Sequence, residues 1–123
     1  MSNLQAQLKD ALTIEGALGV ALVDAATGLP LGTADEGTGL AVEVAAAGGT
    51  DVVRAMTRTL DGLRLGGEEG IEDLLVTTTT QLHLLRVVTG RPGLFFCLVL
   101  DRSRATLGMA RFRLATIERE LVL

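Results

Sequence analysis

Tryptophan and tyrosine are absent from this 123-residue chain, and its only aromatics are Phe95, Phe96 and Phe112. Stacking platforms for bases or sugars are therefore almost missing. Lys9 is the single lysine; the ten other cations are arginines, set against fifteen acidic residues for a net charge of −4. A nucleic-acid binder needs a basic stripe, which this composition does not supply. A lone cysteine, Cys97, excludes an intrachain disulfide and fits a reducing compartment. No apolar run is long enough to span a bilayer. The opening MSNLQAQLKDAL has neither the basic nor the apolar region of a signal peptide. Direct membrane insertion is not expected, and the expected location is the cytoplasm.

What the chain has in excess is apolar character. Hydrophobic residues make up 48% of it, and mean hydropathy is +0.42, high for a soluble chain of single-domain length. Residues 1–123 are expected to form one domain that buries roughly two-thirds of its unfolded surface. The surplus points to an apolar surface covered by a partner.

Periodicity organises the chain into eight elements. Ser2 or Asn3 can cap a first helix in which Leu4, Leu8, Ala11 and Leu12 recur at helical spacing. Leu18 to Val23 reads as a strand, and DAATG supplies Asp and Gly for a reversal into LPLGT. Thr38 to about Leu63 reads as a long helix whose apolar stripe is Leu40, Val44, Ala47, Val52, Met56, Leu60 and Leu63. Gly48 and Gly49 interrupt it, at about 1 kcal/mol each relative to alanine, as a kink, a break or a place where another backbone approaches. LGGEEG ends that helix. Three strands follow, IEDLLVTTT, QLHLLRVVT and GLFFCLVLD. LFFCLVL is apolar without alternation, so both its faces are covered and it belongs mid-sheet; VTTTT suits the end of an outer strand. The last helix is expected from Ser103 to Leu121, with Met109, Phe112, Ile117 and Leu121 inward and Arg111 and Arg119 outward. The order α-β-β-α-β-β-β-α implies an α/β (α+β) sandwich, a five-stranded antiparallel sheet with helices on both faces.

No residue group carries catalysis. GVALVDAATGLPLG, residues 19–32, has the glycines of a phosphate loop, but such a loop runs from strand into helix, whereas this one continues as a strand. No Gly-Lys-Ser/Thr occurs, and the stretch reads as a hairpin. His83 has no second histidine for a metal site. Cys97 sits in the most apolar run, as an inert buried thiol does. Thr77 to Thr80 reflect β propensity, and Glu68, Glu69, Glu72 and Asp73 lack the ligand spacing of a calcium loop. No catalytic residue, cofactor or metal is expected. The third strand has no proline or lysine to protect its edge. Pairing with a second copy, long helices side by side, would cover both strand and stripe. The expected dimer contacts are Val44, Ala47, Gly48, Val52 and Met56 on the helix and Leu74, Val76 and Thr78 on the strand.

In this order of elements the chain resembles the roadblock/dynein light chain family, particularly its small bacterial members, with a roadblock- or profilin-like architecture. The likeness rests on IEGALGVALVDAATGLPLG, where Gly16, Gly19, Asp24, Gly28, Leu29 and Leu31 match the family's start. The long helix, the hairpin LLVTTTTQLHLLRVV and the apolar LFFCLVLD agree as well; the double glycine is a departure. The resemblance implies a homodimer joined through paired third strands. It also implies non-enzymatic work: regulating or recruiting a small Ras-like GTPase, or serving as an adaptor. Bacterial members raise a partner's GTP hydrolysis by rearranging it rather than by inserting an arginine. By the same resemblance the long helices form the docking face, with Glu43, Arg54, Arg58 and Asp61 as expected partner contacts. The alternatives from other classes are a small-ligand sensor of similar five-stranded build, which should show an apolar cavity with convergent polar groups, and a structural scaffold.

Overall fold

A computed structural model describes residues 1–37, 39–65 and 70–123. The elements follow the expected order: α1 Leu4–Leu12, β1 Ala17–Asp24, β2 Leu29–Asp35, α2 Val42–Gly62, β3 Asp73–Thr77, β4 Gln81–Val87, β5 Leu94–Asp101 and α3 Leu107–Arg119. The five strands form one sheet in the order β2-β1-β5-β4-β3, and every neighbouring pair is antiparallel. The apolar run of β5 occupies the centre of the sheet, as its lack of alternation predicts.

Residues 19–32 form the hairpin expected of them. Asp24 closes the turn: its carboxylate accepts the Ala26 N–H at 2.8 Å and its carbonyl accepts the Gly28 N–H at 2.7 Å. Gly28 adopts φ +77°, a backbone conformation open to glycine at little cost.

Alternate β5 residues serve two cores. Phe96, Leu98 and Leu100 join Val20, Leu22, Leu82 and Leu84 beneath α1 and α3. Phe95, Cys97 and Val99 join Ala21, Val23 and Leu85 beneath α2. The sheet is thus sandwiched, with α1 and α3 on one face and α2 on the other.

α2 and α3 depart from expectation in phase and length. α2 begins at Val42 rather than Thr38, and Thr38 itself lies outside the described residues, as do Gly66, Gly67, Glu68 and Glu69 of the LGGEEG stretch. α2 runs unbroken through Gly48 and Gly49. Gly49 faces the sheet, where an added Cβ would stand 3.1 Å from Leu85 Cδ2, while the Cβ position of Gly48 meets open space. The residues that α2 buries are Val42, Ala46, Gly49, Thr50 and Val53. The single stripe read from the sequence is therefore split: Val44 is 70% exposed and Leu63 61%, and Ala47 and Val52 are also exposed. Ala46, Gly49 and Thr50 let α2 sit close on the sheet between Val42 and Val53, and this phase turns Val44 and Val52 outward. α3 spans Leu107–Arg119, and its inner row is Ala110, Leu114 and Ile117. Met109 and Phe112, expected inward, are 56% and 66% exposed. The phase is set by the four- and three-residue steps from Ala110 to Leu114 to Ile117, which point both bulkier residues to solvent.

Candidate interaction surface

Among the described residues β3 hydrogen-bonds to β4 on one side only, so its other side is a free edge. α2 packs mainly on β1, β2 and β5, which leaves the α2 face of β3 and β4 without a helix lying across it. Leu74 and Val76 point to that face, opposite Leu85 and His83. Leu74 is half-buried and Val76 is 40% exposed. The 3.6-residue period brings Gly48, Val52 and Met56 to the flank of α2 nearer β3. Met56 and Leu60 line a recess with Ile71 and Leu74 that marks this flank. Val44 points outward on the helix. Ala47 falls on the opposite flank, so helical geometry separates it from the other expected dimer contacts.

The free edge is braced from within. Asp73, the first residue of β3, takes a two-point contact from Arg111 on α3 and lies 3.8 Å from Arg86 Nη1 on β4. Arg86 Nε reaches Glu118 of α3 at 3.3 Å, and the other Glu118 oxygen accepts the Thr89 N–H at 3.3 Å. Glu118 is buried. At the other end of β3, Thr78 Oγ accepts the Gln81 N–H at 2.9 Å, and the Thr78 carbonyl accepts Arg102 Nη1 at 3.0 Å. Thr78 is exposed but already engaged in the β3–β4 turn. The charged braces escape sequence reading because their partners lie far apart in the chain; the signal available was Arg86 inside the apolar QLHLLRVV.

The expected partner contacts divide. Glu43 stands in the first turn of α2, whereas Arg54, Arg58 and Asp61 line one cleft under its C-terminal half. Arg54 is exposed yet committed: its Nε and Nη2 donate to the carbonyls of Ala25 and Ala26 at 2.7 and 2.6 Å. It clasps the β1–β2 turn, whereas Glu43, Arg58 and Asp61 are simply exposed. The cleft encloses about 430 Å³ over an apolar floor of Val53, Leu60, Ile71, Val87, Leu94 and Phe95.

The residues set aside in the sequence have structural surroundings. Burial pushes the Cys97 thiol up to about 12, which leaves no reactive thiolate. His83 is half-buried, its Nε2 2.8 Å from Gln81 Oε1, and burial lowers its pKa. Among the described residues, no group of three His, Cys, Asp or Glu is placed to hold a metal ion, and no helix is long and apolar enough to cross a membrane.

No protein-family model matches the sequence, and no curated protein matches it. Solved structures do match in shape. MglB of Myxococcus xanthus superposes with a TM-score of 0.71 at 21% identity, over 94% of this chain and 85% of that one. A roadblock/LC7 domain from Streptomyces avermitilis gives 0.70 at 12% identity, over 94% and 88%. An MglB described as having a tetrameric arrangement gives 0.73 at 18% identity, over 96% and 89%. The chain has the roadblock fold.

Proposed function

We propose that this protein is a non-enzymatic, homodimeric regulator or adaptor that binds a Ras-like small GTPase and modulates its GTPase cycle. The observation that carries this reading is the free β3 edge beside the apolar β3-side flank of α2, on a fold shared with MglB. An unprotected edge strand invites pairing, and a second copy offers an identical edge and an identical helix. Joining the two edges would extend the sheet across the dimer and lay the α2 helices side by side over it. The tetrameric arrangement described for one MglB of the same fold supports the reading that this chain also self-associates.

The GTPase would then dock on the paired helices. Arg58, Asp61 and Glu43 offer mixed charges at exposed positions, suited to specificity and association rate more than to raw affinity. Arg54 would act by fixing the β1–β2 turn beside them. The protein would meet a nucleotide only through the protein that holds it. The test is a binding titration against the Ras-like GTPases of the source genome, each loaded with GDP and with a non-hydrolysable GTP analogue. The reading expects affinity that differs between the two nucleotide states for at least one GTPase; no binding, or equal affinity in both states throughout, contradicts it.

A further inference from the structure

We infer that the cleft under the C-terminal half of α2 receives a short segment of a protein partner, one that carries a bulky apolar side chain next to a single carboxylate. The inference rests on the reading of the chain as a protein-binding module and not on the partner being a GTPase.

The shape comes first. α2 forms one wall, the Ala25–Ala26 turn a second, and the start of β5 with Ile71 the rest. The floor presents carbon: the one hydroxyl there, Thr57, is turned away to the Val53 carbonyl at 2.8 Å. An apolar side chain entering such a recess loses its water while its surroundings lose little hydrogen bonding, the situation in which single residues dominate an interface. The second wall is held in place before any partner arrives, because Arg54 spends two N–H groups on the turn. A preformed wall lowers the ordering cost of binding.

The rim then selects charge. Arg58 lies one helical turn beyond Arg54 and, among the described residues, makes no ion pair or side-chain hydrogen bond, and the remaining Nη1 of Arg54 makes none either. An exposed guanidinium beside an apolar recess, unpaired among the described residues, matches a carboxylate, which it can bind at two points. Asp61, one turn further, carries the opposite sign and would repel a second carboxylate. The rim therefore favours one acidic residue beside the apolar anchor over a run of them.

A random peptide display library, panned on the full chain, tests this directly. Selected peptides should share a bulky aliphatic or aromatic residue within two positions of one Asp or Glu. A synthetic peptide of that kind should bind at least tenfold more weakly to Arg58→Glu, which reverses the rim, and to Thr57→Trp, which fills the floor. Arg119→Glu, on the other face of the molecule, should change the affinity by less than twofold. Thermal melts establish that all three variants fold. Selection without a carboxylate preference, no selection at all, or a selected peptide indifferent to both cleft substitutions would overturn the inference. Peptide binding without any GTPase partner would sink the GTPase reading alone; a GTPase partner without peptide binding would sink this one alone.

Discussion

Arg111 holds Asp73 at two points, Nε to Oδ2 at 2.9 Å and Nη2 to Oδ1 at 3.0 Å, and so ties α3 to the first residue of the free edge strand. The carboxylate's hydrogen bond and charge raise the guanidinium's pKa. Arg86 lies between this pair and the buried Glu118, and links both to β4. The edge that would meet a second copy is thereby fixed in position by the opposite face of the molecule.

That bracing gives two unequal mutants. Glu118→Gln removes the buried charge that faces Arg86 while keeping an acceptor, and should cost up to about 3 kcal/mol, the scale of breaking a buried pair. Asp73→Asn faces the half-exposed Arg111, which water can solvate, so global stability should fall less. Its effect should appear locally, as faster amide exchange from Leu74 to Val76. Chemical denaturation and hydrogen exchange separate the two, and equal costs would contradict the assignment.

The double glycine predicts opposite outcomes from adjacent residues. Gly48→Leu adds its side chain to open space, so the isolated fold should hold or gain up to about 1 kcal/mol in helix propensity. Dimerisation should weaken, because the side chain enters the surface proposed for the second copy. Gly49→Leu pushes against Leu85 and Phe95 and should destabilise the fold by about 1–3 kcal/mol, the range for overpacking. Melting temperature and sedimentation, read together, check both.

His83 predicts a pH dependence of definite sign. Burial lowers its folded pKa below its ordinary value of 6.5, so the neutral ring is favoured in the folded state. This stabilising contribution is present above about pH 6.5 and is lost as pH falls through the folded pKa. Between pH 7 and 5 the wild type should lose more stability than His83→Gln; parallel curves would show that the ring contributes nothing.

Much of the fold was legible because apolar patterning and turn chemistry agree. LFFCLVL placed β5 at the centre, and DAATG placed a hairpin where a phosphate loop was the competing reading. The helices were harder. In α2 the sheet is met by Val42 and Val53 but between them by Ala46, Gly49 and Thr50, which carry little hydrophobic signal, so Val44 and Val52 drew the stripe toward what is the outer surface. In α3 the inner row starts at Ala110 and is followed by Glu118, whose partner Arg86 is 32 residues away. Local periodicity registers neither. For the candidate surface, the sequence suggested the edge strand and the helix flank, but Arg54's clasp on Ala25 and Ala26 is a tertiary contact without a local pattern.

The hairpin reading of residues 19–32 makes a further prediction. Calorimetry with GTP, GDP and ATP should show no binding by the purified protein, since no strand-to-helix turn presents backbone N–H groups to a phosphate there. Micromolar affinity for any of the three would overturn the non-enzymatic reading.

The claim on which the rest depends is that a second copy covers the β3 edge and the adjoining flank of α2. The direct measurement is mass in solution by light scattering across micromolar concentrations, for the wild type and for Val76→Lys, which places a charge on the exposed face of that edge. The account predicts close to twice the 12.9 kDa of one chain for the wild type, and a shift to the single-chain mass for the variant. A wild type that stays at the single-chain mass, or a variant that dimerises as well as the wild type, would contradict it.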